Sequence, residues 1–132
     1  MRTLLECLVG IIAAAISLGL IRQYEWATQH KLVAVWLVIA ALIYPALALL
    51  QGASEWLPYE FVGVALYATL AWIGWRYSLM VLAAGWALHA LWDRLSHGTF
   101  MPAWYPMACL GFDLVLAGFI VSQWKINGRK QN

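Results

Sequence analysis

A single all-α bundle of about five transmembrane helices is the fold class this sequence predicts, and three observations predict it. Hydrophobic residues make up 64% of the 132 positions and charged residues only 11%, whereas soluble domains run near half apolar and a quarter charged. The apolar residues fall into five stretches close to the roughly 20 residues that cross a hydrocarbon layer. Tryptophans and tyrosines gather at the ends of those stretches, at Trp26, Trp56, Tyr59, Trp75, Tyr77, Trp104, Tyr105 and Trp124. That is the aromatic belt of two membrane–water interfaces.

The first helix is expected over 3–21. Arg2 before an apolar run resembles the start of a signal peptide, but Glu6 interrupts it and the run outlasts a signal core, so a retained helix is expected. A polar segment, 22–31, separates it from a second helix over 32–50, where Pro45 should kink the helix or end its regular part early. After the turn 51–56, Pro58 suits the first turn of a third helix over 58–75. Arg76 marks a short connection to a fourth helix over 78–97, and a loop over 98–105 leads to Pro106, which opens a fifth helix over 106–124. A polar tail follows from Lys125. No repeat or second domain interrupts 1–132, so a single transmembrane domain is expected.

The net charge of +2 and the absence of a dense basic run argue against nucleic-acid binding. Cys7 and Cys109 form neither a CxxC pair nor a zinc-ribbon spacing, and both lie in apolar stretches, where cysteine behaves as a small buried hydrophobe. Five crossings place the termini on opposite faces. Arg22, Lys31, Arg76, Lys125, Arg129 and Lys130 fall on the C-terminal face, against Arg2 and Arg94 on the other. The positive-inside rule then predicts a cytoplasmic C-terminus.

The acids and histidines are unevenly placed. Glu6, Glu55, Glu60, His89, Asp93, His97 and Asp113 all map to the N-terminal face or the helix ends that approach it, leaving Glu25 and His30 on the other. His89 and Asp113 sit about 12 Å from their helix ends at 1.5 Å rise per residue. An ionisable side chain at the centre of a membrane helix costs about 2.5–3.5 kcal/mol, so such groups should face the interior and find partners there. The convergence favours function over a polar knot that merely locks helices together.

The sharpest motif is H-x3-D-x3-H, formed by His89, Asp93 and His97, which stacks three polar groups on one helical stripe headed by Gly85. His89 and His97 are about 12 Å apart along the axis, too far to grip one ion without strain. Two arrangements remain. One ion could use Asp93, one histidine, and Glu60 or Asp113; or two ions could be bridged by Asp93. Imidazole and carboxylate donors suit zinc, iron or manganese. Without a metal, Asp93 would tune a histidine for acid–base work. Tyr67, on the face of Glu60, is expected either to donate a hydrogen bond or simply to pack, with packing favoured; Trp92 flanks the stripe as packing or as the wall of an apolar slot. Arg94 should snorkel to the interface.

These residues resemble a small bacterial integral-membrane family, the domain-of-unknown-function family numbered 6010. The likeness runs through Glu60-Phe61, Gly85-Trp86-Ala87-Leu88-His89, Trp92-Asp93, His97, Pro102 and Pro106, then Cys109 and Asp113, and covers most of the chain from the second helix onward. Where this chain has Ser96-His97, family members often carry two adjacent histidines. The resemblance implies a shared small membrane fold and a bacterial inner-membrane location, and brings no established activity.

The leading functional expectation is a metal-dependent membrane-embedded enzyme, a hydrolase or an isomerase or cyclase, acting on a lipid or another apolar small molecule. Glu60, His89, Asp93 and Asp113 are the candidate catalytic residues, and the same four with His97 the candidate ligands of a divalent metal. The rivals are a proton- or cation-coupled transporter or channel component, which would require a homo-oligomer and a continuous polar path, and an accessory subunit whose polar end binds a partner protein.

Overall fold

The computed structural model describes residues 1–95 and 100–130, the last three of these by backbone alone. Five α-helices and one 3-10 turn make up the described fold: α1 (Arg2–Ile21), α2 (Trp26–Leu50), the turn Ser54–Trp56, α3 (Leu57–Arg76), α4 (Leu79–Leu95) and α5 (Tyr105–Lys130). Four of these are long and apolar enough to cross a membrane, the exception being α4 with 17 described residues. The end of the expected fourth helix, including His97, lies outside the described residues.

Two boundaries differ from expectation, for one reason. The segment expected as a polar connection already forms the first turns of α2, beginning at Trp26, where the Gln29 side chain donates to the Tyr24 carbonyl at 2.7 Å. Likewise α5 continues past Trp124 to Lys130 rather than giving way to a tail. Hydropathy marks the part of a helix that lies in hydrocarbon, whereas backbone hydrogen bonding carries the same helix on into the interface, through 28–31 in α2 and through Asn127 and Gly128 in α5. Pro45 does not end α2, which runs five residues beyond it. What ends α2 is Gly52 at φ 70°: Ala53 N–H bonds the Ala48 carbonyl at 2.8 Å and Gly52 N–H that of Leu49 at 3.2 Å, a Schellman arrangement. Pro58 occupies the first turn of α3, where its missing N–H has no intrahelical partner to lose.

α4 packs along α3 and α5 and touches α2, while α1 is held chiefly by α5 and α2 by α3. The interior between them is apolar, centred on Leu37, Tyr67, Leu82, Trp86, Leu116 and Ile120. A second apolar cluster, Ala48, Ala53 and Phe100 with Trp56 and Met101 against them, joins the α2–α3 turn to the segment before α5. Outward faces are apolar as well: Leu4, Leu8, Ile12, Ile16 and Leu20 of α1 are all about half exposed or more. Without a water-driven force between helices, close backbone approach and dispersion must hold such helices together.

That approach is tightest between α1 and α5. A Cβ on Gly10 would stand 1.8 Å from the Ala108 carbonyl oxygen, and one on Gly111 would stand 2.3 Å from that of Cys7. Gly118, on α5 as well, has nothing within 4 Å. Gly10→Ala and Gly111→Ala should therefore force the α1–α5 seam apart, costing about 1–3 kcal/mol as overpacking does, while Gly118→Ala should be neutral or slightly stabilising. Thermal unfolding in detergent checks this ranking.

Candidate metal centre

Three of the predicted residues meet. His89 and Asp93 lie one turn apart on α4, and Asp113 reaches them from α5, two turns inside its start. Their exposures of 1%, 0% and 2% put all three out of contact with bulk water. His89 Nδ1 lies 2.7 Å from Asp113 Oδ2 and 3.6 Å from Asp93 Oδ2. One donor atom from each residue lies within 4.8 Å of the others, so the three could hold a metal ion. This set corresponds to the single-ion arrangement completed by Asp113.

Glu60 is also buried, at 1% exposure, in the first turn of α3, but it does not belong to that three-residue group. His97, the other predicted ligand, lies outside the described residues, and so does any two-ion arrangement that depends on it.

Tyrosines complete the surroundings. Tyr44 of α2 donates its hydroxyl to Asp93 Oδ1. Sequence reasoning passed over it, although a tyrosine deep in an apolar helix must find a partner for its O–H. Tyr67 both donates and packs: its hydroxyl bonds the Leu88 carbonyl at 3.0 Å, and its ring meets the His89 imidazole edge-on at 4.9 Å. Trp92 faces away from the centre and stacks on Tyr59 at 4.7 Å, over Gly63, where a Cβ would stand 2.8 Å from the indole. Its role is packing between α3 and α4. Gly85 likewise accommodates a neighbouring helix, since a Cβ there would meet Leu37 of α2 at 2.8 Å. Cys7 and Cys109 are both free thiols, and Cys109 lines the cavity beside Asp113.

Protons at the centre are limited. With Nδ1 protonated, His89 donates to Asp113, and Tyr44 donates to Asp93. Asp93 Oδ2 and His89 Nε2 then have no hydrogen-bond partner among the described residues. A buried carboxylate oxygen and a buried imidazole nitrogen left in this state are costly in an apolar interior. The carboxylate oxygen is an electron-pair donor that suits a cation. A cation shared with both carboxylates would take the place of the Nδ1 proton, since Nδ1 is the nitrogen that faces them, leaving Nε2 for acid–base work.

An apolar cavity of about 270 Å³ opens beside His89 and Asp113, walled by α1, α2 and α5. No family model, curated protein or solved structure matches the chain.

The Tyr44 bond to a carboxylate should be worth about 1.5–3 kcal/mol, and the Tyr67 bond to a backbone carbonyl about 0.5–1.5 kcal/mol. Tyr44→Phe should accordingly lower stability in detergent more than Tyr67→Phe does. Equal losses would mean that Tyr44 contributes packing alone.

Proposed function

We propose that this protein is a membrane-embedded enzyme acting on a lipid or another apolar small molecule, with a divalent metal held by His89, Asp93 and Asp113. The observation that carries the reading is the convergence of two carboxylates and one imidazole at 2.7–3.6 Å, at the edge of an apolar cavity. Charge balance supports a cation there. In the metal-bound form two ionised carboxylates and a neutral imidazole would together carry two negative charges in a medium that solvates ions poorly, and a divalent ion would cancel them.

Zinc, iron or manganese fits the mixed imidazole and carboxylate donors. Such an ion would polarise a carbonyl or lower the pKa of a bound water. The chain's own contributions are distinct. Tyr44 fixes Asp93 through its hydroxyl, while Tyr67 and Trp86 hold the imidazole plane by edge contacts at 4.9 and 6.4 Å. Asp113 and His89 border the cavity, where a substrate's polar group would meet them.

The rival reading as an ion pathway needs polar groups to continue across the bundle. Beyond the centre the buried side chains are instead Leu37, Leu82, Leu116 and Ile120, which favours a site with one polar end. A bacterial inner-membrane location with the C-terminus cytoplasmic belongs to the same proposal, supported by the excess of arginine and lysine on the C-terminal face.

Elemental analysis of detergent-purified protein, stripped with chelator and reloaded with zinc, iron or manganese in turn, tests the metal centre. The expected result is one ion per chain, lost in Asp113→Asn and kept in Glu60→Gln. No stoichiometric binding of any of the three removes it. A C-terminal reporter active only in the cytoplasm should give signal in whole cells, and silence there would reverse the orientation.

A further inference from the structure

We infer that the seam between α1 and α2 binds a single hydrocarbon chain whose uncharged polar head rests against His89 and Asp113. The bound molecule's role as substrate rests on the enzyme reading above; its binding does not.

The cavity beside the centre does not stand alone. A second one, of about 230 Å³, shares Ala40, Ile43 and Phe112 with the first and extends to Trp36 and Ser17. Together they follow α1 from Val9 to Ser17, about 12 Å along the helix at 1.5 Å per residue. α1 and α2 supply the walls, and Trp86, His89, Phe112 and Asp113 the floor. The two cavities jointly reach the lower part of the range typical of small-molecule sites. Sharing those three residues, they line one long apolar seam with His89 and Asp113 in the wall of one end, the shape of a single-chain amphiphile.

Access points the same way. The turn after α2 is packed by the apolar cluster of Ala48, Ala53 and Phe100, with Trp56 and Met101 against it. The seam, by contrast, is rimmed by Val9 and Trp104, which are 58% and 50% exposed. An exposed apolar residue on a membrane helix faces lipid, so the Val9 side of the seam meets acyl chains, while Trp104 belongs to the interfacial belt. Of α1 only Gly10, Ala14 and Ile21 are buried, and its remaining surface is open towards the seam and the lipid. The head group is assigned as uncharged because the cavity wall is apolar up to His89 and Asp113 and would solvate an ionic head poorly. An alcohol, ester or ketone satisfies that constraint.

The test is photolabelling in proteoliposomes with a long-chain alcohol bearing a diazirine on its chain, the labelled peptides being mapped by mass spectrometry. Labelling should concentrate on 9–17 and 36–43 rather than on Val62 and Leu66, which are 65% and 44% exposed on α3. Ala40→Phe fills the channel and should abolish seam labelling, and so should Ala13→Phe, placed on the exposed side of α1 where folding tolerates it. Ala68→Phe, in the separate α2–α3 groove, should leave the labelling intact. Uniform labelling of lipid-facing positions, or seam labelling that survives both channel-filling variants, overturns the proposal. So does equal seam labelling by a diacyl phosphatidylcholine probe. Metal content measured on the same samples separates the two readings. Seam labelling in protein that never binds metal upholds the channel and removes the metal centre, whereas stoichiometric metal with uniform labelling does the reverse.

Discussion

Two carboxylates and an imidazole share an interior that bulk water does not reach, and the arrangement of one end of the bundle follows from that constraint. Ionisable groups at such a depth must be satisfied by one another, by a hydroxyl or by a cation. His89 and Asp113 meet across the α4–α5 interface, and Tyr44 of α2 supplies a hydroxyl to Asp93. Three helices are thereby locked in depth and rotation, because a slip of one residue along any of them would move its polar group about 1.5 Å and turn it away. Polar contacts of this kind give register to helices whose apolar surfaces could pack in several ways.

The periphery is built differently. α1 carries no member of the polar group and is held by close backbone approach, with Gly10 and Gly111 removing the side chains that would separate it from α5. Dispersion over a short, tightly packed stretch holds it there, while most of its surface faces lipid. A centre fixed by hydrogen bonds beside a helix fixed by a narrow seam leaves room for an apolar channel between α1 and α2 without loosening the polar core. The aromatic residues divide between the same tasks. Tyr44 and Tyr67 bond the centre and its helix, Trp92 fills the gap over Gly63, and Trp72, Trp75 and Trp124 stay exposed at the interfaces.

Much of this was legible in composition and spacing. Five helices, their order and the breaks near Gly52, Arg76 and Pro106 follow from runs of apolar residues and from the chemistry of glycine and proline. His89 and Asp93 were placed on one stripe by a four-residue interval, and Asp113 at matching depth by its distance from Pro106. The start of α2 and the end of α5 differ from expectation because a helix continues through its backbone hydrogen bonds where hydropathy fades. For Tyr67 packing is favoured over donation by the sequence, since no local pattern indicates that the carbonyl of Leu88 lies across from its hydroxyl.

Composition and spacing are enough to show that the chain is helical and apolar on its outside, and that its ionisable groups collect at one end. Those properties depend on what each segment is made of and on distances along a single helix axis, which a regular 1.5 Å rise makes calculable. Only the tertiary structure decided which groups touch: that Asp113 approaches His89, that Tyr44 reaches Asp93, and that the seam between α1 and α2 stays open. The physical reason is rotational. An apolar helix in lipid has no strongly polar face to reveal how it is turned, so its orientation is set by packing against neighbours far away in the chain.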